Sequence, residues 1–166
     1  MITVRPEIPD DLEAIRAVQI GAYPTTAEAR LVDLLRAAGR LTVSLVALGE
    51  GEVIGHVGFS PVTVSTGAVG IGLAPVAVFE SYRCQGVAAR MIEAGLAIAR
   101  TVGYGWAVVL GSPHYYGRFG FRPASAFCLS DEYSGGDAFQ ALELVPGLLP
   151  AGAKLVKYAT EFSSLG

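Results

Sequence analysis

The chain has 166 residues, of which 52% are hydrophobic and 16% are charged, and its formal net charge is −3. This length fits a single domain over residues 1–166, and the high apolar fraction excludes a disordered chain. The small negative charge argues against nucleic-acid binding, which normally needs a basic face, and no apolar run approaches the roughly 18 residues of a membrane-spanning helix.

The N-terminal quarter of the chain predicts one strand and two helices. Asp10 stands three positions before Glu13, and Thr25 stands three positions before Glu28. Each pair has the capping-box pattern of a helix start. Apolar residues then recur at helical spacing, and a glycine stands where a helix should end. The predicted elements are a strand over Ile2–Arg5, a helix from Asp10 to about Gly21, and a helix from Thr25 to Gly39 with Leu31, Leu34 and Leu35 on its apolar face.

β-Branched residues and glycines mark the next part of the chain as strands. Leu41–Leu48 and Val53–Val64 flank Gly49–Glu52, which is a hairpin-type connection. Gly55 and Gly58 inside the second strand predict a bulge or a close approach of another backbone. After a loop of small residues, another strand is predicted that is apolar on both faces, as in the middle of a sheet, and that contains a proline. This strand is Ile71–Phe79, and its Pro75 predicts a local bulge or splay because proline cannot donate to a strand ladder.

The longest predicted helix follows, and shorter elements complete the chain. The helix covers Gly86–Val102, with a stripe formed by Val87, Met91, Gly95, Ile98 and Val102. The later elements are a strand over Trp106–Leu110, a short helix opened by Ser112-Pro113 and running through Tyr115–Phe119, and weaker strands near Phe127–Leu129, Ala138–Leu144 and Lys154–Tyr158. This order predicts an α/β fold with a mixed sheet in one domain.

The turn before the longest helix has the features of a phosphate site. A buried strand leads into a polar turn, and the small residues Gly86 and Ala88 stand at the helix start. The first turn of a helix leaves about four N–H groups without partners, and its dipole favours an anion there. Arg83 can add a charge-assisted hydrogen bond. A plain strand–helix connection is the alternative, because small residues are common at helix starts.

Two motifs in this sequence resemble those of the GNAT superfamily of acyl-CoA N-acyltransferases. Arg83-x-x-Gly86-x-Ala88 after a valine-rich strand resembles the superfamily's Arg/Gln-x-x-Gly-x-Gly/Ala motif. Tyr115–Phe121 resembles its last conserved segment, in which a tyrosine precedes a Gly-Phe pair by four residues. Glu28–Val32 and Phe59–Val62 also resemble a subgroup of small bacterial predicted acetyltransferases.

The resemblance implies a fold and a set of cofactor contacts. The fold would be a central mixed sheet, splayed at the cofactor strand, with helices on both faces. The pantetheine arm of CoA would pair with the backbone of this strand, and the turn amides would hold the diphosphate. The implied cofactor-binding residues are Val76, Ala77, Val78, Arg83, Cys84, Gln85, Gly86, Val87, Ala88, Ala89 and Tyr116.

The resemblance also implies a reaction, the transfer of an acetyl group from acetyl-CoA to a primary amine by direct attack in a ternary complex. Val78 would donate its N–H to the oxyanion, and Tyr116 would assist the leaving thiolate. A non-catalytic module that binds or senses acyl-CoA is the alternative. A mononucleotide-binding domain fits less well, because the turn lacks the Lys-Ser/Thr ending of a P-loop.

The usual base of the superfamily is missing from this sequence. Many members place a glutamate four residues before the position of Val78, where this chain has Ala74. Substitutes for the base are His56, Glu28, Glu80, His114 or a chain of water molecules. The residues predicted to bind the acceptor are Glu28, His56 and Ser60. For His56 and Glu28, a packed histidine and a solvated carboxylate are the structural alternatives.

Other ligands and partners are constrained more weakly. Two cysteines and two histidines without ligand spacing predict no metal site. The absence of a signal-peptide pattern predicts a cytoplasmic protein, with a small-molecule or peptide amine as acceptor, no nucleic acid and no membrane as partners, and a homodimer left open. Cys84 lies beside Arg83 and a helix start, and we hypothesise that it alkylates readily unless CoA protects it.

Overall fold

The structure, a computed structural model, describes residues 1–165 and divides the chain into two compact units. The first unit comprises Met1–Phe59, Ala74–Ala97 and the residues from Thr160 onward. The second comprises Ser60–Leu73 and Ile98–Ala159. Two strands and the longest helix contribute residues to both units. That the whole chain forms a single domain stays a prediction.

The first unit combines a sheet with three helices. Its elements are β1 (Ile2–Pro6), a 3-10 turn (Pro9–Asp11), α1 (Leu12–Ala22), α2 (Ala27–Ala37), β2 (Val43–Gly49), the first part of β3 (Glu52–Thr63), the last part of β4 (Val69–Val78), a 3-10 turn (Glu80–Tyr82), most of α3 (Val87–Thr101) and a 3-10 segment (Thr160–Leu165). Both β1 and β3 pair antiparallel with β2. The unit therefore supplies the mixed α/β character that the sequence predicts.

Helices cover both faces of the sheet in the first unit. Val46 of β2 packs in one apolar cluster with residues of α1 and α2. Phe59 pairs across the strands with Val43, so these two side chains lie on the same face. Val43 and Val46 are three residues apart on β2, and because side chains alternate along a strand, Phe59 lies on the face opposite to Val46. On that face Gly95 of α3 comes so close that a Cβ at this position would lie 2.2 Å from Cε1 of Phe59. A glycine is therefore required where α3 meets the sheet.

The β2–β3 hairpin agrees with its sequence prediction. Glu50 and Gly51 form the turn with positive φ angles of 52° and 81°, which suit a two-residue hairpin. The register shifts opposite Ile54, so the bulge predicted in this strand lies beside Gly55. A Cβ on Gly55 would lie 3.2 Å from the carbonyl oxygen of Ala77. The glycine thus permits the close backbone approach of β4.

The second unit contains the remaining strands and a short helix. Its further elements are β5 (Trp106–Leu110), α4 (Pro113–Tyr116), a 3-10 turn (Gly117–Phe119), β6 (Arg122–Pro123), a 3-10 turn (Ala124–Phe127), β7 (Leu129–Asp131), a 3-10 turn (Gly136–Ala138), β8 (Phe139–Glu143) and β9 (Lys154–Val156). β4 pairs in parallel with β5 over Ile71–Leu73, β8 pairs antiparallel with both β5 and β6, and β7 pairs with β9. The residues of β4 that pair with β5, Ile71–Leu73, come directly before Ala74–Pro75. The sequence predicts the splay of the sheet at this proline.

Neither of the two predicted capping boxes forms in the way that the sequence pattern implies. The carboxylate of Asp11, not Asp10, accepts the N–H of Ile8 at 2.8 Å and also binds Arg5 at 2.7 Å. At the second helix, Thr25 Oγ1 accepts the N–H of Ala27 at 3.2 Å. In the first case a basic residue on β1 decides which aspartate turns inward, and a local capping pattern contains no such information.

Three other predictions differ from the structure at single positions. Leu34 is 39% exposed although it belongs to the predicted apolar face, and Val102 is 59% exposed because α3 ends one residue earlier. Phe127 belongs to a 3-10 turn and not to a strand. The short strand β6 was not predicted, since it has two residues and one of them is Pro123.

Candidate active site

The last residues of β4 direct two carbonyl groups away from β3. Phe79 donates its N–H to Ile54 of β3 at 3.0 Å, so the residues that alternate with it face the other side. On that side the Val76 carbonyl accepts the hydroxyl of Tyr23 at 2.7 Å, and the Val78 carbonyl accepts Nε of Arg83 at 3.1 Å. In a strand the N–H of a residue points with its carbonyl. The N–H groups of Val76 and Val78 therefore face this same side.

The turn after β4 presents main-chain amides at the start of α3. Arg90 donates the first helical hydrogen bond to the Gly86 carbonyl at 3.1 Å, which makes Gly86 the N-cap residue. The N–H groups of the first helical turn, Val87–Ala89, consequently have no partner inside the helix. Among residues 1–165 we find no other acceptor from the chain for them. Cys84, Gln85 and Gly86 before them are exposed, so this helix start is open.

Gly86 has a conformation that other residues adopt only with strain. Its φ is +77°, and no atom lies within 4 Å of the place where a Cβ would be. Space is therefore open around the N-cap, and the positive φ is what requires glycine. Cys84 also has a positive φ of 62°. The turn reverses sharply between β4 and α3 and leaves room beside the backbone for a bulky anion.

Tyr116 has a fixed position at the end of α4 in the second unit. Ser112 caps this helix by accepting the N–H of Tyr115, as the Ser-Pro pattern predicts. The Tyr116 ring lies against Gly111, where a Cβ would be 2.4 Å from its Cε2 atom. Its ring centroid is 6.0 Å from that of Phe121 in an edge-to-face arrangement. Packing therefore holds the ring in one place.

Tyr23 binds the end of β4, and the charge of Glu28 lies close enough to act on it. Tyr23 follows α1 and reaches the Val76 carbonyl, while Glu28 lies in the first turn of α2. Burial raises the pKa of Tyr23, and the nearby charge of Glu28 raises it further. Within residues 1–165, Oε1 of Glu28 is buried without a hydrogen-bond partner. Tyr23 was not predicted from the sequence, since its partner stands 53 positions away and no local pattern links the two.

Comparison with known proteins identifies the family. The sequence profile of the Acetyltransferase (GNAT) family matches residues 12–121, which is more than half of the chain. The chain belongs to the GNAT acetyltransferase family. The resemblance seen in the sequence motifs is thereby confirmed, together with the fold class.

Several relatives of this GNAT acetyltransferase match it over nearly their whole length. The uncharacterized N-acetyltransferase YhbS of Escherichia coli (strain K12) is 41% identical over 96% of this chain and 98% of its own. A crystal structure of YhbS in complex with CoA has a TM-score of 0.91 and 40% identity, covering 99% of this chain and 93% of that one. A GNAT family acetyltransferase from Brucella melitensis in complex with acetyl-CoA has a TM-score of 0.81 and 37% identity, covering 98% of each chain.

His56 is enclosed in a hydrogen-bonded chain that removes it from solvent. Its side chain has no exposed surface, its Nδ1 lies 2.8 Å from Gln19 Nε2, and its Nε2 lies 2.8 Å from Ser44 Oγ. Ser44 in turn donates to Glu7, which Arg36 binds with two nitrogens. Burial lowers the pKa of His56 to about 4. The packed alternative therefore fits His56 better than a base or an acceptor contact.

The direction of this chain follows from its charged end. Burial alone would raise the pKa of Glu7, but the hydrogen bonds from Arg36 and Ser44 outweigh it and lower that pKa. An ionised carboxylate only accepts, so Ser44 donates to Glu7 and accepts from His56. His56 then carries its proton on Nε2 and accepts the Gln19 amide at Nδ1. The network stabilises the face of the sheet that α1 covers.

The remaining candidates differ in their access to solvent. Ser60 has no exposed surface, and its Oγ has no hydrogen-bond partner in the part of the chain that the structure describes. Glu80 and His114 are exposed, and Ala74 is half-buried on β4. No group of three or more metal-binding side chains exists within residues 1–165, and no helix there is long and apolar enough to cross a membrane.

Proposed function

We propose that this GNAT acetyltransferase moves an acetyl group from acetyl-CoA to a primary amine by direct attack in a ternary complex. The observation that carries the proposal is the row of outward-facing amides of Val87–Ala89 at the open start of a 15-residue helix. A helix start of this kind binds phosphate through its amides and its dipole. The complexes of YhbS with CoA and of the Brucella melitensis enzyme with acetyl-CoA support the same donor here.

The diphosphate and the pantetheine arm of the cofactor each have a counterpart in the first unit. The diphosphate would bind the amides of the turn, where Gly86 leaves open space. The pantetheine arm would run along β4 and pair with the backbone of Val76 and Val78 as an added strand does, chiefly with their N–H groups, because Tyr23 and Arg83 already bind the two carbonyls. Arg83 joins the turn to β4 through Val78, and its guanidinium would add charge close to the diphosphate. Because the amides and the strand belong to consecutive segments, one extended ligand can contact both.

The chemistry requires stabilisation of an oxyanion and of a leaving thiolate. The amine nitrogen attacks the thioester carbonyl, the C–S bond then breaks, and the electron pair leaves with the sulfur. One preorganised donor to the oxyanion contributes about 2.7–4 kcal/mol, and the Val78 N–H is the candidate. Proton transfer from a phenol with a pKa of about 10 to the thiolate of a thiol with a pKa of about 8.5 is unfavourable by ~2 kcal/mol. Tyr116 therefore need only donate a strong hydrogen bond as charge builds on the sulfur.

The amine must lose a proton before it attacks. For an ammonium with a pKa of about 10.4, the neutral form at pH 7 costs roughly 4.6 kcal/mol. The usual glutamate is replaced by Ala74, and His56 has no exposed surface. The candidates for the base are then Glu28, Glu80, His114 and water.

The reaction also needs acetyl-CoA, and we infer the cytoplasm as the place of action because this thioester is made inside cells.

A substitution at the turn tests the proposal directly. Gly86→Asp places a carboxylate beside the diphosphate and fills with a side chain the space that glycine leaves open. We expect the Kd for CoA, measured by calorimetry, to rise at least about 100-fold, or ~2.7 kcal/mol. Gly51→Asp is the matched control, because Gly51 has a φ of +81°, equally open surroundings and a place in the β2–β3 hairpin. A Kd for Gly86→Asp within about threefold of the wild type contradicts the assignment of the turn.

A non-catalytic acyl-CoA-binding module is the second candidate, and Ala74 is the observation that favours it. Such a module would bind acetyl-CoA but would not transfer its acetyl group. Release of free CoA can be followed with a thiol reagent, with and without a broad panel of primary amines. Amine-stimulated release indicates the transferase, whereas slow release that no amine accelerates indicates the module.

A further inference from the structure

We propose that Tyr23 and Glu28 form the site that receives the ammonium group of the acceptor. This inference rests on the proposed function, since it names the residues that would select an amine as substrate. Both side chains lie in the first unit, one after α1 and the other at the start of α2. Tyr23 touches the strand that carries the candidate oxyanion donor. The pair therefore joins the two helices to the reacting end of β4.

The pair offers hydrogen-bond acceptors and no donor. Tyr23 already donates its only hydroxyl proton to the Val76 carbonyl, so its oxygen can otherwise only accept. Glu28 Oε1 is buried and has no partner among residues 1–165. Most buried polar atoms have a partner, and an exception needs an explanation such as a missing ligand. An ammonium group has three donors and no acceptor, and it fits these two oxygens.

The charge of Glu28 is also available for a cationic ligand. The ion pairs of the described chain join Arg5, Arg16, Arg36 and Arg40 to other carboxylates, and none includes Glu28. A half-buried carboxylate without a cation attracts one from solution more strongly than a fully hydrated carboxylate does. A bound ammonium would therefore complete this site, and a neutral alcohol of the same shape would not.

The distances along β4 suit the proposed reaction. Equivalent atoms of residues two apart on a strand are separated by about 6.4–6.8 Å, so the Val76 carbonyl lies within this distance of the Val78 N–H. The Tyr23 hydroxyl is 2.7 Å from the Val76 oxygen. An attacking nitrogen stands about 3–3.5 Å from the carbonyl carbon, whose oxygen is ~1.2 Å farther on and accepts a hydrogen bond of ~2.9 Å. An amine bound at Tyr23 would therefore lie within about one two-residue repeat of the Val78 N–H, on the same side of β4.

The test compares Glu28→Gln with the wild type in amine-dependent acetyl transfer. The acceptors are a panel of alkylamines, polyamines, amino-acid amides and peptides with free N-termini, and the most active amine is carried forward. We expect Glu28→Gln to lose at least about tenfold in kcat/KM for that amine, mainly through KM, or ~1.4 kcal/mol. The Kd for CoA should stay unchanged. Glu13→Gln is the matched control, because Glu13 is an exposed glutamate of α1.

Two further measurements separate amine recognition from a structural role. The alcohol of the same shape as the chosen amine should inhibit wild type and Glu28→Gln equally, while the wild type alone should strongly prefer the amine. Glu28→Asp keeps the charge and should retain more of the kcat/KM than Glu28→Gln. Tyr23→Phe removes one acceptor and should raise the KM for the amine by a smaller factor. A Glu28→Gln enzyme with an unchanged KM for the amine overturns the inference.

The same experiment distinguishes failure of the inference from failure of the proposed function. If no amine stimulates CoA release by the wild type, the transferase proposal is contradicted and the inference falls with it. If the wild type transfers the acetyl group and Glu28→Gln does so equally well, only the inference is overturned. Loss of amine preference at constant CoA affinity supports both.

Discussion

Replacement of Gly95 by alanine tests how α3 is seated on the sheet. A Cβ at this position would lie 2.2 and 2.4 Å from Cε1 and Cζ of Phe59, whereas carbon atoms are best separated by about 3.5–4.0 Å. The ring or the helix would have to move by more than about 1 Å. Overpacking of this kind costs about 1–3 kcal/mol, and the better helix propensity of alanine offsets about 0.8–1.0 kcal/mol of it. Because both overlaps are severe, the upper part of the overpacking range applies, about 2–3 kcal/mol, and we expect a net loss of about 1–2 kcal/mol.

Thermal unfolding followed by calorimetry or circular dichroism measures this loss. For a chain of this size the expected decrease in Tm is about 2–8 °C. Gly21→Ala is the matched control, since Gly21 also lies in a helix but its Cβ would be 3.2 Å from Phe79, a far smaller conflict. Phe59→Leu combined with Gly95→Ala should recover part of the stability through the coupling of the two sites. An unchanged or higher Tm for Gly95→Ala refutes the close packing, because propensity alone would then decide the outcome.

Two further predictions concern catalysis and pH. Tyr116→Phe should lower kcat at least about tenfold while the Kd for CoA stays unchanged; steady-state kinetics with calorimetry measures both, and an unchanged kcat contradicts the role. Burial lowers the pKa of His56 from 6.5 to about 4. Between pH 6.5 and about pH 4, His56 is protonated in the unfolded chain but stays neutral in the folded chain. Lowering the pH through this range therefore favours the unfolded chain, and the free energy of unfolding should decrease by up to ~3 kcal/mol. Urea midpoints at pH 7 and pH 4.5 measure the decrease, which His56→Gln should reduce; equal decreases in both proteins contradict this account.

Local patterns were sufficient to predict the elements of the proposed cofactor site. The turn residues of the β2–β3 hairpin and the polar turn before α3 each lie in a short window of sequence. The Ser112-Pro113 pattern likewise opens α4 as expected. In these places the physical cause of the structure is local, because a positive φ, a missing N–H or a capping hydroxyl acts on its immediate neighbours.

The parts that the sequence could not predict depend on contacts between distant residues. Asp11 turns inward because Arg5 on β1 binds it, and no capping pattern contains that partner. Tyr23 meets Val76 only after β4 has joined the sheet. Ser60 has no exposed surface, since the fold determines which residues of β3 are covered, and its predicted contact with the acceptor stays a prediction. Side-chain roles at the site therefore need the three-dimensional structure even where the strands and helices do not.

The amide groups at the start of α3 provide the most direct test of the central claim. Nitrogen-15 labelled protein titrated with CoA reports each amide separately by NMR. We expect the largest downfield proton shifts at Val87, Ala88 and Ala89, because an N–H that binds a phosphate oxygen is strongly polarised. Gly51 in the β2–β3 hairpin should not respond. Saturation with CoA that leaves the amides of Val87–Ala89 unshifted would contradict the account.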